Sequence, residues 1–328
     1  MNRRISYRRY RRRFVRPLRT ARGEWAVREG WLLRVEADGS AGYGEVAPIP
    51  EFGTETFDEA EAFLERLKGD PGLPVPEELP CCAFALSAAS SAFSGVRRAY
   101  PVAGLLPAGE AAVPALASKS KAGFRCFKWK IGVGGLALEQ EILDELVAQL
   151  PGGGRLRLDA NAALSAAEAA TWTDCCARFP GCIEFLEQPL PVGEERAMAG
   201  LAAASGVPVA LDESLNGPAG SRWLESGAWA GPLVVKAALM GDVARLAERL
   251  RPVARRVVWS SAFETGVGLE AALRLADGLP ASPYAVGFDT LDAFEDGLMP
   301  LDRAPVLTPA ARATMDFADL WKRLPHSS

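Results

Sequence analysis

The sequence predicts an α/β protein in which a parallel β/α barrel follows an α+β unit, and three observations carry that prediction. From Val113 onward, short apolar segments alternate with amphipathic ones, the alternation of a parallel sheet covered by helices. Eight candidate strands recur at intervals near 25 residues, which favours closure into a barrel over an open sheet. No GxGxxG motif follows the first of them, which weakens the case for a dinucleotide-binding sheet.

In chain order, the first 22 residues hold ten arginines, including the run RRYRRRFVR. Such a run reads either as a patch for nucleic acid or anionic membrane, or as a strand with one solvated basic face. Ile5 and Tyr7 share one parity, and Phe14, Val15 and Leu18 interrupt the charge, as the second reading requires. WLLRVEADGSAGYGEVAP reads as a hairpin with its turn at Asp38-Gly39 and a second strand from Tyr43 to Val46. Helical periodicity follows in FDEAEAFLERLKG and in CCAFALSAASSAFSG. Residues 1–106 therefore form the α+β unit, and residues 107–298 the barrel. The candidate barrel strands are VPALA, FRCFKWKI, RLRLDAN, CIEFLEQP, VPVALDES, PLVVKAA, RVVWSSAF and YAVGF. Between them, LALEQEILDELVAQL and SAAEAATWTDCCARF are helices, the second opened by a capping box of Ser165 and Glu168. PGGGRLRL lacks the lysine and hydroxyl of a phosphate loop, and its glycines precede a strand, so it is a turn.

Composition narrows the function. The chain has 328 residues, 49% hydrophobic and 24% charged, with a net charge of -4; it buries an ordinary core and is not as a whole a binder of polyanions. No apolar run reaches the roughly 18 residues of a membrane span, and the N-terminus lacks the apolar core of a secretion signal, so a cytoplasmic protein is expected. Six cysteines occur without a CxxC pair and read as buried free thiols. The single histidine, His326, lies in a polar tail, which excludes a Ser-His-Asp triad and a His-ligated zinc. Acid-base chemistry falls to lysine or a carboxylate.

Polar residues recur where the candidate strands end: Lys130, Asp159, Glu187, Asp212, Lys236 and Ser261, separated by 29, 28, 25, 24 and 25 residues. In a parallel barrel these positions ring one mouth. Three carboxylates on adjacent strands, with no His or Cys, make a site for a hard cation, and Mg²⁺ fits best, with Mn²⁺ as a substitute. Each carboxylate could instead cap the helix that follows its strand, but three in consecutive repeats, flanked by lysines, favour the metal. Lys128 and Lys130, two apart on one strand, point the same way, and Lys236 faces them from the far side. Crowded ammonium groups favour neutral forms, so one lysine could serve as a base while its neighbour holds the charge that forms. A substrate carboxylate on the metal becomes acidic at its α-carbon, through an enediolate that metal and ammonium stabilise. Asn161 and Arg157, on the strand face of Asp159, and Ser260 with Ser261 are expected substrate contacts, with strand-end hydrogen bonding and turn formation as the competing roles.

KxK, LDAN, EQP, LDES, VVKAALMG and SSAFETGVG, in that order and spacing, resemble the enolase superfamily, in the subgroup of muconate cycloisomerases, dipeptide epimerases and o-succinylbenzoate synthases. The resemblance covers essentially the whole chain. It implies a modified (β/α)7β TIM-like barrel with an N-terminal α+β capping domain, completed by residues of about 299–328. By position, Asp159, Glu187 and Asp212 match the Mg²⁺ ligands, Lys130 the catalytic acid/base, Lys128 its electrostatic helper, and Lys236 the lysine on the opposite substrate face. PLRTARGEWAVREGWLLRV and SSAFETGVGLEAALRLA most resemble the o-succinylbenzoate synthases of menaquinone and phylloquinone biosynthesis. That implies syn-elimination of water from 2-succinyl-6-hydroxy-2,4-cyclohexadiene-1-carboxylate, giving 2-succinylbenzoate. Lys236 would lie over the ring as a cation against its π face, PLRTARG would cover the mouth, and the early arginines would guide a dianionic substrate. Two departures stand out: Ala237 where many relatives carry proline, and AVGFDTL at the last strand where a glycine-rich turn is usual.

The same apparatus also suits N-succinylamino acid racemisation or dipeptide epimerisation, since lysines on both faces provide both proton transfers. A non-catalytic protein binding nucleic acid or membrane through residues 3–22 is the rival from another class. The expected partner is a small carboxylate, with no nucleic acid and no membrane; oligomeric state stays open.

Overall fold

The computed structural model describes residues 3–20, 23–91, 93 and 95–325. His326 lies outside them, as do Ala21 and Arg22 of the PLRTARG segment expected to cover the mouth.

Strands β1 (Arg4–Thr20), β2 (Gly23–Ala37) and β3 (Ser40–Val46) form an antiparallel sheet in that order. Ala37 pairs with Ser40 across the Asp38-Gly39 turn, as the sequence predicts. One sheet face, through Ile5, Tyr7, Trp31, Leu33 and Val35, packs on α1 (Phe57–Gly69) and α2 (Pro80–Ser90). Helix α1 starts at a capping box of Thr56 and Glu59, which satisfies two otherwise unpartnered donors at the helix start.

The barrel follows. A two-residue strand β4 (Tyr100–Pro101) leads into β5 (Ala103–Leu106), α3 (Ala112–Lys121), β6 (Cys126–Lys130), α4 (Leu136–Ala148), β7 (Arg155–Asp159), α5 (Ala166–Ala177) and β8 (Ile183–Glu187). Then come α6 (Glu195–Ser205), β9 (Val209–Ala210), the single turn α7 (Gly217–Gly220), β10 (Leu233–Val235), α8 (Val243–Leu250), β11 (Val257–Trp259) and α9 (Gly266–Asp277). Strands β5 to β9 pair in parallel in chain order, as do β10 and β11. Bridges from Leu211 to Leu233, Ser260 to Gly287 and Val102 to Val286 close the ring. A Cβ on Gly287 would meet Ser260 Oγ at 3.0 Å, so this glycine lets the last strand position approach β11 without a side chain in between.

Two predicted strands differ. VPALA lies in α3, where Ala112 and Leu116 are buried four residues apart, the spacing of one helical face; a short apolar run does not distinguish the two periods. The first barrel strand is instead β5, inside the stretch expected to belong to the α+β unit. YAVGF contributes only the bridges at Val286 and Gly287.

After the barrel, β12 (Val306–Leu307) pairs with β4, and α10 (Pro309–Ala313) and α11 (Phe317–Arg323) follow. Leu320, Trp321 and Leu324 pack with Tyr10, Leu32, Val267 and Leu298, covering the second face of the antiparallel sheet. That face is therefore not the solvated basic surface the sequence suggested. Arg8 donates to the carbonyls of Trp321 and Leu324, both at 2.8 Å. Arg12 donates to Asp296 at 2.6 Å and to Glu264 O at 3.0 Å, and Arg28 to Ala262 O at 3.1 Å and Pro48 O at 2.6 Å. Arg9 and Arg11 pair outside with Glu29.

Glu45 joins the sheet to the barrel. Fully buried at the end of β3, it accepts from Tyr10 Oη at 2.6 Å, Thr265 N at 2.9 Å, Thr265 Oγ1 at 2.5 Å and Gly268 N at 3.0 Å. A carboxylate at the start of α9 answers its unpaired N–H groups and the positive end of its dipole. A Cβ on Gly268 would meet Glu45 Oε2 at 2.7 Å, so glycine makes room for the cap. The cysteines are free, all buried but the half-buried Cys182. Among the described residues no helix is long and apolar enough to cross a membrane.

Glu45→Ala strands four buried donors at once. It is expected to lower unfolding stability by about 3 kcal/mol or more, measured as a shift of the urea midpoint at unchanged slope.

Candidate active site

Side-chain parity sets the site. Phe127, Trp129, Leu156, Leu158 and Leu186 face outward into the core beneath the helices, so the alternate residues face into the barrel. Cys126 with Ala103 and Ala285, and Phe185 with Ala210, Val234 and Val258, fill its lower interior. Above them, parallel register places Lys128 beside Arg157, Lys130 beside Asp159, and Asp159 beside Glu187. Asp212, Lys236 and Ser260 continue the inward positions just past β9, β10 and β11.

The lysines and carboxylates are in contact. Lys128 Nζ lies 2.9 Å from Asp159 Oδ2 and 2.7 Å from Glu187 Oε1, and Lys236 Nζ pairs with Asp212. Burial alone would lower both lysines. The carboxylates of Asp159, Glu187 and Asp212 outweigh it at Lys128, as Asp212 and Glu213 do at Lys236, so both are held above the ordinary lysine range as ammonium ions. Lys130 differs: burial, reinforced by Lys128, lowers it despite Asp159 and Glu213. The expected shift toward the neutral form thus occurs at Lys130 and is reversed at the other two, where the neighbouring carboxylates outweigh burial.

Four carboxylates surround three lysines, since Glu213 follows Asp212 and is also buried. Two of them are raised, chiefly by burial. Burial, then Asp159 and Asp212, push Glu187 up to about 8 against the pull of Lys128. Burial, then Asp212, push Glu213 up to about 7, and among the described residues no donor reaches Glu213 Oε2. No group of three or more His, Cys, Asp or Glu side chains among the described residues converges as a preformed metal cage; Asp159, Glu187 and Asp212 are instead in ion pairs with Lys128 and Lys236. An oxygen-only donor set with surplus negative charge and an unpartnered buried oxygen nevertheless fits a hard divalent cation.

The remaining predicted residues divide. Asn161, with φ +46, stands at the mouth, its Nδ2 donating to Glu213 Oε1 at 3.3 Å. Ser260 faces inward next to Gly287. Ser261 is turned away: it accepts from Phe263 N at 2.9 Å and Thr290 Oγ1 at 3.0 Å and donates to Glu264 at 3.2 Å, so its hydroxyl is committed to the loop. Arg157 is fully buried below the mouth, donating to Glu184 at 2.5 Å and Ala285 O at 2.8 Å. It supports the floor and does not reach the opening.

The sequence reading missed Glu213, although it adjoins Asp212 in LDES, and Phe52, for which the sequence holds no signal. Phe52 comes from the antiparallel unit, and its ring lies 5.2 Å from Lys236 Nζ, so that unit overhangs the mouth. Two clefts lie elsewhere. One of about 290 Å³ involves Arg4, Arg34 and Trp321, and one of about 300 Å³ involves Tyr43, Glu270 and Phe317. Neither assembles a lysine base with a carboxylate cluster.

Known proteins match this architecture in both parts. The model of the enolase C-terminal domain-like family matches residues 111–305, and that of the MenC N-terminal domain residues 15–93. An o-succinylbenzoate synthase of Thermosynechococcus vestitus is 36% identical over 94% of this chain and 95% of its own length. The chain belongs to the o-succinylbenzoate synthase family of the enolase superfamily. Another member, from Thermobifida fusca, is 30% identical over 88% of this chain and 84% of its own. The crystal structure of an o-succinylbenzoate synthase from Thermosynechococcus elongatus, with Mg in its active site, superposes with a TM-score of 0.83 at 35% identity, covering 98% of this chain and all of that one. An L-Ala-D/L-Glu epimerase of Bacillus subtilis, 20% identical with a TM-score of 0.75 over 89% of this chain and 90% of its own, shares the family's fold.

Lys128→Met leaves Asp159 and Glu187 buried face to face without their shared ammonium. The substitution is expected to destabilise the metal-free protein by about 3–5 kcal/mol, read by urea denaturation.

Proposed function

We propose that this chain acts as an o-succinylbenzoate synthase, dehydrating 2-succinyl-6-hydroxy-2,4-cyclohexadiene-1-carboxylate to 2-succinylbenzoate with Mg²⁺ as cofactor. The observation that carries the assignment of roles is the difference among the three lysines. Lys128 and Lys236 are held as ammonium ions by their carboxylates, whereas Lys130, in the same row as Asp159, is the one shifted toward the neutral amine. Only a neutral amine can take a proton.

Lys130 accepts the α-proton of the substrate as the C–H bond breaks. Its ammonium then returns that proton to the departing hydroxyl on the same face; the C–O bond breaks, water leaves, and the ring becomes aromatic. Lys130 is thereby restored to its starting form. Lys128, two residues earlier on the same face, and Lys236, across the mouth, present fixed positive charge where the carboxylate gains negative charge. Lys236 also faces the π system of the ring. Asp159, Glu187 and Asp212 would hold the Mg²⁺, which when bound draws electron density from the substrate carboxylate and acidifies its α-carbon. Asn161 and Ser260 are placed to contact the substrate at the mouth. Phe52 above Lys236 helps exclude water, which strengthens each charge interaction inside.

The test follows loss of the cyclohexadiene absorbance with purified protein, Mg²⁺ and substrate. Lys130→Ala is expected to slow turnover on the order of 10³-fold while leaving the fold intact by circular dichroism. An inert wild-type protein that exchanges the α-proton of N-succinylamino acids or dipeptides in D₂O would replace dehydration with racemisation or epimerisation.

The pH dependence has a defined sign. Activity requires neutral Lys130, so kcat/KM rises with pH as the ammonium loses its proton. The downward shift of Lys130 places that rise below the ordinary lysine range; a rise centred at or above it would remove Lys130 as the base.

A further inference from the structure

Gln188 directly follows Glu187, and its side chain is fully buried. Its φ is +37, in the left-handed region where non-glycine residues are uncommon. Both ends of its amide are used. Oε1 accepts from the backbone N–H of Asp212 at 3.0 Å and of Ser214 at 3.2 Å. Nε2 donates to Ser214 Oγ at 2.8 Å and to Leu190 O at 3.0 Å. On the main chain, Gln188 N donates to Ala210 O at 2.9 Å, and Gln188 O accepts from Ala162 N at 2.8 Å. One residue thus ties together the segments that end β7, β8 and β9, where Asp159, Glu187 and Asp212 stand.

The chemistry of this contact is specific. The acceptor end of the amide meets two N–H groups, and the donor end meets a carbonyl and a hydroxyl. Rotating the amide by half a turn would set NH₂ against both N–H groups, so a single orientation is selected. That hydroxyl is oriented in turn, since Ser214 Oγ donates to the buried Glu195 at 2.7 Å. An amide accomplishes this without adding charge to a site that already carries four carboxylates and three lysines. The Asp212 N–H it holds belongs to the residue whose carboxylate pairs with Lys236, so the clamp sets the direction from which that carboxylate leaves the main chain.

We propose that Gln188 is a positioning residue for the divalent cation: by clamping the N–H groups of Asp212 and Ser214 it aims the Asp212 carboxylate and so sets the affinity of the mouth for Mg²⁺. This inference rests on the reading of Asp159, Glu187 and Asp212 as the ligands.

The experiment is calorimetric titration of the substrate-free protein with Mg²⁺, beside thermal melting of each metal-free variant. Gln188→Met keeps the bulk and removes every amide bond; it is expected to raise the Mg²⁺ dissociation constant at least about tenfold. Ser214→Ala keeps both N–H bonds to Oε1 but removes the hydroxyl that accepts from Nε2, loosening the clamp at one end, and is expected to raise the constant about two- to fivefold. A Gln188→Met protein that melts lower yet binds Mg²⁺ as the wild type does would reduce Gln188 to a fold residue and overturn the proposal. If Gln188→Met does not fold, Ser214→Ala decides, and an unchanged constant overturns it. Asp212→Asn separates the two claims. Wild-type binding there would remove Asp212 as a ligand whatever Gln188 does, whereas lost binding there with unchanged binding in the Gln188 and Ser214 variants would remove only the positioning role.

Discussion

Lys130, Asp159 and Glu187 stand side by side on three parallel strands, and the site depends on that register. Strand side chains alternate between faces, so a slip of one residue would turn a lysine and two carboxylates into the apolar layer under the helices and bring Trp129 and Leu158 into the barrel. The outward residues prevent this. Phe127, Trp129, Leu156 and Leu158 are each essentially inaccessible and packed together, and full burial of each such side chain contributes about 1.5–3 kcal/mol. The hydrophobic layer outside the barrel therefore holds the charged row inside it.

Holding charges in that interior demands near-complete pairing. At Lys128 and Lys236 the neighbouring carboxylates outweigh burial and hold the ammonium; where burial outweighs the charge contacts, the group shifts toward its neutral form instead. Burial is the largest cause at each group that shifts toward its neutral form: with neighbouring carboxylates it raises Glu187 and Glu213, and with Lys128 it lowers Lys130 against the pull of Asp159 and Glu213.

The arginine-rich first strand serves the architecture. Arg8 and Arg12 are buried, and with Arg28 they donate to main-chain carbonyls of the C-terminal segment, the loop after β11 and the β3 exit. A guanidinium has five donors and remains charged, so it can satisfy several carbonyls at a junction where no regular ladder reaches. Together with Glu45 at the start of α9, these contacts seat the antiparallel unit on the barrel and bring Phe52 over Lys236. The junction is polar at its centre and closed by apolar residues around it.

Much of this was written in the chain. Strand-end residues at intervals near 25 identified Lys130, Asp159, Glu187, Asp212 and Lys236, because a repeating strand-helix unit converts spacing into convergence, and the hairpin and both capping boxes follow from local chemistry. Where local signals are ambiguous the sequence misled: VPALA carries equal apolar content in either period, and helix α3 takes it because the first barrel position is already filled by β5. The choice between Ser260 and Ser261 as the inward serine depends on parity counted from Val258, and the withdrawal of Arg157 to the floor depends on Glu184 and Ala285 from other strands. The resemblance assigns Lys130 as the base, but the pattern of charges around the three lysines is not in the sequence. KxK states that two amines share a face; only the tertiary structure decides that Lys128, between Asp159 and Glu187, is held above the ordinary lysine range while Lys130 is lowered, because that balance is a sum over burial and charges brought together from four strands.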